Sequence, residues 1–347
     1  MDKLTERNIA LDSFVLPAFL VKAGTVTQVN SAAEKLLIEP GIPIDQLLHT
    51  GHTDYGRFTR GRMYLTLTLC GEIRGANVSK LENEDLFLLE QEERGELTAL
   101  SLAARQLREP LSKALASAER LYSSESEDDS RRLNRGLYQM LRIISNMSSA
   151  ALPSSRLETV NITAVISEIF EKAYALLACN DLSLKFEAPE EQIYGQAAPD
   201  QLERAIHNIL SNAAKYLPKG GEISASLVRR EQMLHLSIRD NGSGIAADTL
   251  PTLFHRYLRE PAIEDARSGL GLGMVLIKAA AQTHQGTVLI DTPEDGGTRI
   301  TMTIAIRQQT EDILRSPVMR VDRYGERDHA LIELSDVLPP ELFDLSK

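Results

Sequence analysis

Three short segments carry residue types that could do chemistry together. In HNILSNAAKY, Asn208 and Asn212 stand four residues apart. On a helix that spacing puts their amide carbonyls on one face, a donor pair suited to a hard cation such as Mg²⁺ that also holds phosphates. Lys215 follows on the next part of the turn and can reach a phosphate as a point charge. In RDNGSGI, Asp240 ends an alternating stretch and is followed by Gly242 and Gly244, so its carboxylate is held at a strand end beside a flexible turn. In SGLGLGM, Gly269, Gly271 and Gly273 precede the apolar run MVLIKAAAQTH. Backbone amides at such a loop and helix start offer free N–H donors and a favourable dipole to an anion. Taken singly, these are a polar helix face, a strand-ending turn and a glycine loop, so the elements around them decide the matter.

From Val160 onward the chain alternates the two periodicities. Apolar residues recur at helical spacing over 163–178 and 199–216, and at strand spacing in ISASLVRR, MLHLSIRD, GTVLIDT and RITMTIAI. Glycine clusters at 242–244, 269–273 and 296–297 fall between them, giving an α+β sandwich with glycine-rich loops where helices and strands exchange. Upstream, Leu97, Leu100, Ala104, Leu107, Leu111, Ala114, Ala118 and Leu121 follow the alternating three-and-four spacing of a coiled-coil seam. Leu133, Leu137, Met140, Ile144 and Met147 repeat the scheme, and the polar SSESEDDS between them reads as a hairpin turn. Pro110 inside the first helix predicts a kink. One hairpin has too narrow a core to stand alone, so residues 91–153 are expected to form a homodimer as a four-helix bundle.

Residues 1–90 read as a small mixed α/β unit. An apolar strand meets a turn at Gly24, a second short strand follows, and Asn30 and Ser31 mark a helix start. MYLTLTLC alternates strictly, predicting a half-buried strand. This order resembles a PAS sensor domain. His49 and His52, in HTGH, read as surface loop histidines rather than ligands.

HNILSNAAKY, DNGSGI, LFHRYLR and SGLGLGM, in this order, resemble the N, G1, F and G2 boxes of the ATP-binding domain shared by sensor histidine kinases, gyrase-type ATPases and anti-sigma-factor kinases. EDGGTRITMTIAI resembles that fold's closing turn and strand, and the likeness covers about 155–307. The resemblance implies ATP and Mg²⁺ as ligands. It assigns Asn212 to Mg²⁺, Lys215 to phosphate and Tyr216 to the wall of the site, with Asn208 among the nucleotide-binding residues. Asp240 would accept a hydrogen bond from the adenine amino group, with Gly242 and Gly244 letting the backbone approach the base. Phe254, Arg256, Tyr257, Gly269, Gly271, Leu272, Gly273 and Thr298 complete the implied nucleotide site, with REPAIEDARS as a mobile lid. Asn208 stands where the ATP-hydrolysing members and the anti-sigma-factor kinases carry a general-base glutamate, and so points to the histidine kinase branch.

The implied organisation is a multidomain α+β chain. A PAS-like α/β sensor occupies 1–90, a two-helix antiparallel dimerisation hairpin 91–153, an α/β sandwich of the histidine kinase and gyrase ATPase type 154–307, and a C-terminal extension 308–347. The resemblance breaks at the phosphoacceptor. Where the family has a motif like HELRTPL, this chain reads RQLREPL, with Arg105 in place of the histidine and Gln106 in place of its acidic neighbour. A guanidinium stays protonated near neutral pH and is a poor nucleophile toward phosphorus. The expected function is therefore an ATP-binding regulator or pseudokinase partner of a competent kinase or response regulator. A kinase using Ser101, Ser112 or a protein in trans as acceptor is one alternative, and a non-catalytic ATP-dependent interaction switch is another.

Composition narrows the rest. With a formal net charge of −11, the chain lacks the basic surface that nucleic acid requires. No apolar run is long enough for a membrane span and the start lacks a signal-peptide pattern, so a cytoplasmic location is expected. Cys70 and Cys179 are isolated and expected to be reduced thiols. Acidic residues concentrate over 82–96, joining sensor to hairpin, which marks a salt-sensitive junction. VMRVDRYG and HALIELSDVLPPELF in the extension are apolar enough to form a strand and a short helix that dock on the ATPase domain or a partner.

Overall fold

The computed structural model describes residues 11–81, 83–90, 127–151, 156–244, 272–307 and 328–344, with Leu111, Ser112 and Ala118 besides. Two compact units divide the chain, Met1–Glu92 and Glu93–Lys347.

In the first unit, β1 (Ala18–Lys22), β2 (Thr25–Val29), β3 (Arg62–Leu69), β4 (Glu72–Lys80) and β5 (Asp85–Leu89) form antiparallel neighbours in the order β2-β1-β5-β4-β3. Short helices α1 (Ser31–Glu34) and α2 (His52–Gly56) lie between β2 and β3. Asn30 begins α1 as the sequence predicts, and it does more. Its buried Oδ1 accepts the amides of Ala33 (2.9 Å) and Ala18 (3.0 Å), while Nδ2 donates to the Leu16 carbonyl at 2.9 Å. One side chain thus ties the helix cap to β1. Phe19 and Phe87 stack at 4.8 Å within the core. The half-buried strand expected at MYLTLTLC is corrected: β3 is covered on both faces as far as Leu67, and Thr66 is buried because its hydroxyl pairs with that of Thr50 at 2.9 Å. His49 and His52 are exposed.

In the second unit the sheet order is β11-β12-β10-β9-β7. Its strands are β7 (Ser183–Glu187), β9 (Glu222–Arg230), β10 (Met233–Asp240), β11 (Val288–Asp291) and β12 (Arg299–Ala305). Among the described residues of this unit, β7 and β9 run parallel and the other pairs antiparallel. β6 (Glu158–Asn161) and β8 (Tyr194–Ala197) pair separately. The longer helices are α3 (Glu127–Ala151), α4 (Ile162–Ala178), α5 (Pro199–Tyr216) and α6 (Leu272–Thr283). Leu234, Leu236 and Ile238 of β10 and Ile300, Met302 and Ile304 of β12 are buried, as are Leu202, Ile206, Ile209 and Leu210 of α5. Each such side chain contributes roughly 1.5–3 kcal/mol by leaving water, and together they fix α5 over the sheet.

Helix α3 leaves part of its expected seam exposed in the single chain. Leu133 and Met140 are 54% and 53% exposed, while Asn134, Tyr138, Leu141, Arg142 and Ser145 are buried. The buried stripe is offset by about one residue and is largely polar. Glu127–Ser130, expected in the hairpin turn, is the start of this helix, since acidic residues suit a first turn. Leu111 and Ser112 are helical. Apart from Ala118, which is also helical, the rest of the expected first hairpin helix, with Ser101, Arg105, Gln106 and Pro110, lies outside the described residues, as do the acidic junction from 91 to 96 and VMRVDRYG. The extension contributes α7 (His329–Glu333) and a 3-10 turn at Pro340–Phe343, which pack on α3.

Candidate functional site

Asp240 sits at the last position of β10, and its carboxylate is held by its own turn. Oδ1 accepts the Gly242 amide at 2.8 Å and the Thr298 amide at 3.1 Å, while the Asp240 amide donates to the Thr298 carbonyl at 3.0 Å. Oδ2 accepts no hydrogen bond among the described residues. The geometry depends on Gly297, whose φ is 78° and where a Cβ would stand 1.9 Å from the Asp240 carbonyl oxygen. Gly244 has φ of 77°, and a Cβ there would press on Thr292 at 3.0 Å. These glycines admit backbone where side chains cannot fit.

The C-terminal end of α5 lies against this turn. A Cβ on Gly242 would lie 3.5 Å from the Tyr216 carbonyl oxygen and 3.6 Å from Leu217 Cδ2. Tyr216 is exposed there, Lys215 is largely buried, and Asn212 is half-buried with no side-chain hydrogen bond among the described residues. Asp240, Thr298, Asn212, Lys215 and Tyr216 are therefore brought to one region of the unit. Phe254, Arg256, Tyr257, Gly269 and Gly271 and the lid segment lie outside the described residues, and Leu272 is described in its backbone alone. Gly273 starts α6 close to Asn208: a Cβ at that glycine would come 2.9 Å from Asn208 Oδ1. Its smallness thus serves the approach of α6 to α5.

Asn208 is buried and differs from Asn212 in being engaged. Its Nδ2 donates to the Arg204 carbonyl at 2.8 Å and to Glu333 at 3.5 Å, and its Oδ1 accepts from Arg142 at 3.4 Å. Around it lies a charge cluster that sequence reasoning missed. Glu333, 1% exposed, meets Arg204 at 3.3 Å and Arg142 at 3.6 Å. Asp336 bonds Arg142 and meets Lys215 at 2.9 Å. Burial alone would raise the Asp336 carboxyl, but the positive charges of Arg142 and Lys215 outweigh it and hold it below its usual range. The signal was faint, because Glu333 and Asp336 sit in an extension with no family pattern and Arg142 in a helix read for its apolar seam.

Two histidines secure the helix layer. His284 accepts the Ala198 amide on Nε2 at 3.0 Å, so Nδ1 carries the proton and donates to the Ala280 carbonyl at 2.6 Å. Burial lowers its pKa to about 4. His207 on α5 is fully buried with no hydrogen bond to either ring nitrogen among the described residues, and burial, with nearby positive charge, lowers it to about 3. Both are neutral structural groups at neutral pH. Among the described residues no three His, Cys, Asp or Glu side chains form a metal cluster, and no helix is long and apolar enough to cross a membrane.

Residues 197–308 match the family described as histidine kinase-, DNA gyrase B-, and HSP90-like ATPase. The sensor histidine kinase WalK of Bacillus subtilis is 33% identical over 130 residues, 36% of this chain and 21% of that protein. The sensor histidine kinase RppB of Synechocystis is 26% identical over 217 residues, 59% of this chain and 48% of that one. This chain therefore spans less than half of either relative. In fold, it is similar to full-length ShkA in complex with AMPPNP, with a TM-score of 0.50 at 17% identity over 61% of this chain and 46% of that one. Residues 197–308 are thus similar to the ATPase domain shared by histidine kinases, gyrase B and HSP90, and the described part of the second unit has a mixed α+β fold.

Proposed function

We propose that this histidine kinase-like chain is an ATP-binding signalling protein that regulates a competent kinase or response regulator without a phosphoacceptor histidine of its own. The observation that carries the proposal is the Asp240 turn: one carboxylate oxygen is fixed by two backbone amides, the other is left for a ligand, and α5 stands alongside. That is the arrangement needed to accept an exocyclic amino group while excluding bases that lack one. Asn212, with no hydrogen bond to its amide among the described residues, fits a Mg²⁺ ligand, and Lys215 fits a phosphate contact. When bound, the nucleotide would supply a phosphoryl group that Arg105 cannot accept.

Two further parts of the reading rest on the fold. The order β2-β1-β5-β4-β3, with short helices between β2 and β3, supports a PAS-like sensor. The exposure of Leu133, Met140 and Ile143 supports a homodimer through 91–153, since such residues gain by leaving water. The test is a titration of the full chain with Mg²⁺ and γ-labelled ATP up to millimolar concentrations. Binding should weaken at least tenfold in Asp240→Ala and in Asn212→Ala, with no label retained on the protein. Indifference to both substitutions would refute the site, and acid-labile label on the chain would refute the missing acceptor.

A further inference from the structure

The segment 328–344 is built to place two carboxylates at one spot. Asp328 caps α7 by accepting the Ala330 amide at 2.8 Å, and α7 then carries Glu333 to Arg204 and Arg142. Leu334 and Leu338 are buried and hold the turn that presents Asp336 to Arg142 and Lys215. Arg135 fixes that turn from α3 by donating to the carbonyls of Ser335 at 3.2 Å and Asp336 at 2.9 Å. Beyond it, Phe343 is fully buried edge-on to Tyr138 with ring centroids 5.2 Å apart, and its carbonyl accepts from Asn134 at 2.9 Å. The segment is anchored at both ends, with its acidic pair in between.

What the pair meets is a basic site assembled from two helices. Arg142 of α3 and Arg204 and Lys215 of α5 surround Glu333 and Asp336, with Asn208 between them. The Arg142 side chain is 7% exposed, and its buried Nε faces Glu333 at 3.6 Å, with no hydrogen-bond partner among the described residues. Guanidinium and ammonium groups arranged in this way bind oxyanions of either kind, carboxylate or phosphate.

We infer that Arg142, Arg204 and Lys215 form a polyanion site held in this structure by Glu333 and Asp336, and that the triphosphate of a bound nucleotide competes with this acidic segment for it. The inference rests on the proposed nucleotide site, because Lys215 is the group the two anions would share. Two anions cannot both be neutralised by the same buried cations, so each must exclude the other. Nucleotide binding then releases the 328–344 segment and bares the Arg135 and Arg142 face of α3. Occupancy of the ATPase domain becomes a change of surface on the helix that faces partners, with no phosphoryl transfer required.

The test compares full-length wild type, Asp336→Asn and Glu333→Gln by titration with a fluorescent N-methylanthraniloyl ATP and Mg²⁺, each also in an Asp240→Ala background. The acidic-segment variants should bind nucleotide at least tenfold more tightly than wild type. Equal affinity in all three, with binding still abolished by Asp240→Ala, would overturn the competition and leave the nucleotide site standing. Failure of every chain to bind would overturn both. A second measurement needs no variant: amide hydrogen exchange across 329–343 in wild type should speed up when saturating Mg²⁺ and ATP are added. Unchanged protection at saturation would overturn the proposal.

Discussion

The Asp240 carboxylate accepts hydrogen bonds from Gly242, two residues on, and from Thr298, on the run leading into the strand paired with β10. Lys215, near the C-terminal end of α5, meets Asp336, which also bonds Arg142, 194 residues away in sequence. The first end is a matter of backbone: glycines at positive φ, amides to one oxygen, a second oxygen to spare. The second is a matter of charge: three cations and two carboxylates, buried together and each tolerable only while the others are in place. A backbone site is rigid and insensitive to solvent, whereas a charge cluster can exchange one anion for another. On the reading proposed above, a fixed recognition end would stand beside an exchangeable one.

This contrast can be broken experimentally. The largest effect is expected at the backbone end. Gly297→Ala would force a Cβ to within 1.9 Å of a carbonyl oxygen at a φ of 78°, so it should destabilise the second unit by about 4 kcal/mol or abolish its folding. Urea denaturation checks this, and a loss under about 1 kcal/mol would show that the turn is adaptable after all. Next comes the charge end. Arg142→Met leaves Glu333 buried with less neutralising charge and should cost about 3 kcal/mol. The Arg142→Met, Glu333→Gln double variant should recover part of that loss, as a double-mutant cycle would measure. Additive losses would mean that the cluster is not a unit.

The smallest effect per unit of perturbation is pH. The folded-state values of His207 (about 3) and His284 (about 4) lie below their ordinary 6.5. The unfolded chain therefore binds more protons than the folded one between these limits. Their contribution is complete above pH 6.5 and is lost as pH falls toward 3, with a slope of up to about 1.4 kcal/mol per pH unit for each group. Denaturation midpoints at pH 7.5, 6.0 and 4.5 should decline in that order, less steeply in His284→Asn. Since neither ring is among Asp240's hydrogen-bond partners, mild acid should loosen the helix layer before the Asp240 turn.

Much of the backbone end was legible beforehand. The helices expected over 163–178 and 199–216 form within a residue of those limits, and the four expected strands are β9 to β12. Local causes explain this. Periodicity, glycine placement and a carboxylate at a strand end act over a few residues, so a linear reading sees them. The parts that a linear reading does not reach involve distant partners. Thr66 is buried because Thr50 reaches it, and α3 turns Arg142 inward because Glu333 and Asp336 are there to receive it. Gly273 reads as a phosphate-loop residue, yet its packing need is set by Asn208 on another helix.

The sequence by itself determined the helices over 163–178 and 199–216, the strands β9 to β12, the glycine turn at Asp240 and the absence of a histidine at position 105. These depend on residue type and short spacing, where steric and hydrogen-bonding preferences operate without tertiary help. Only the tertiary structure decided which cations Glu333 and Asp336 would meet. A buried charge is stable only where folding has already gathered its counter-charges, and no spacing along the chain records that meeting.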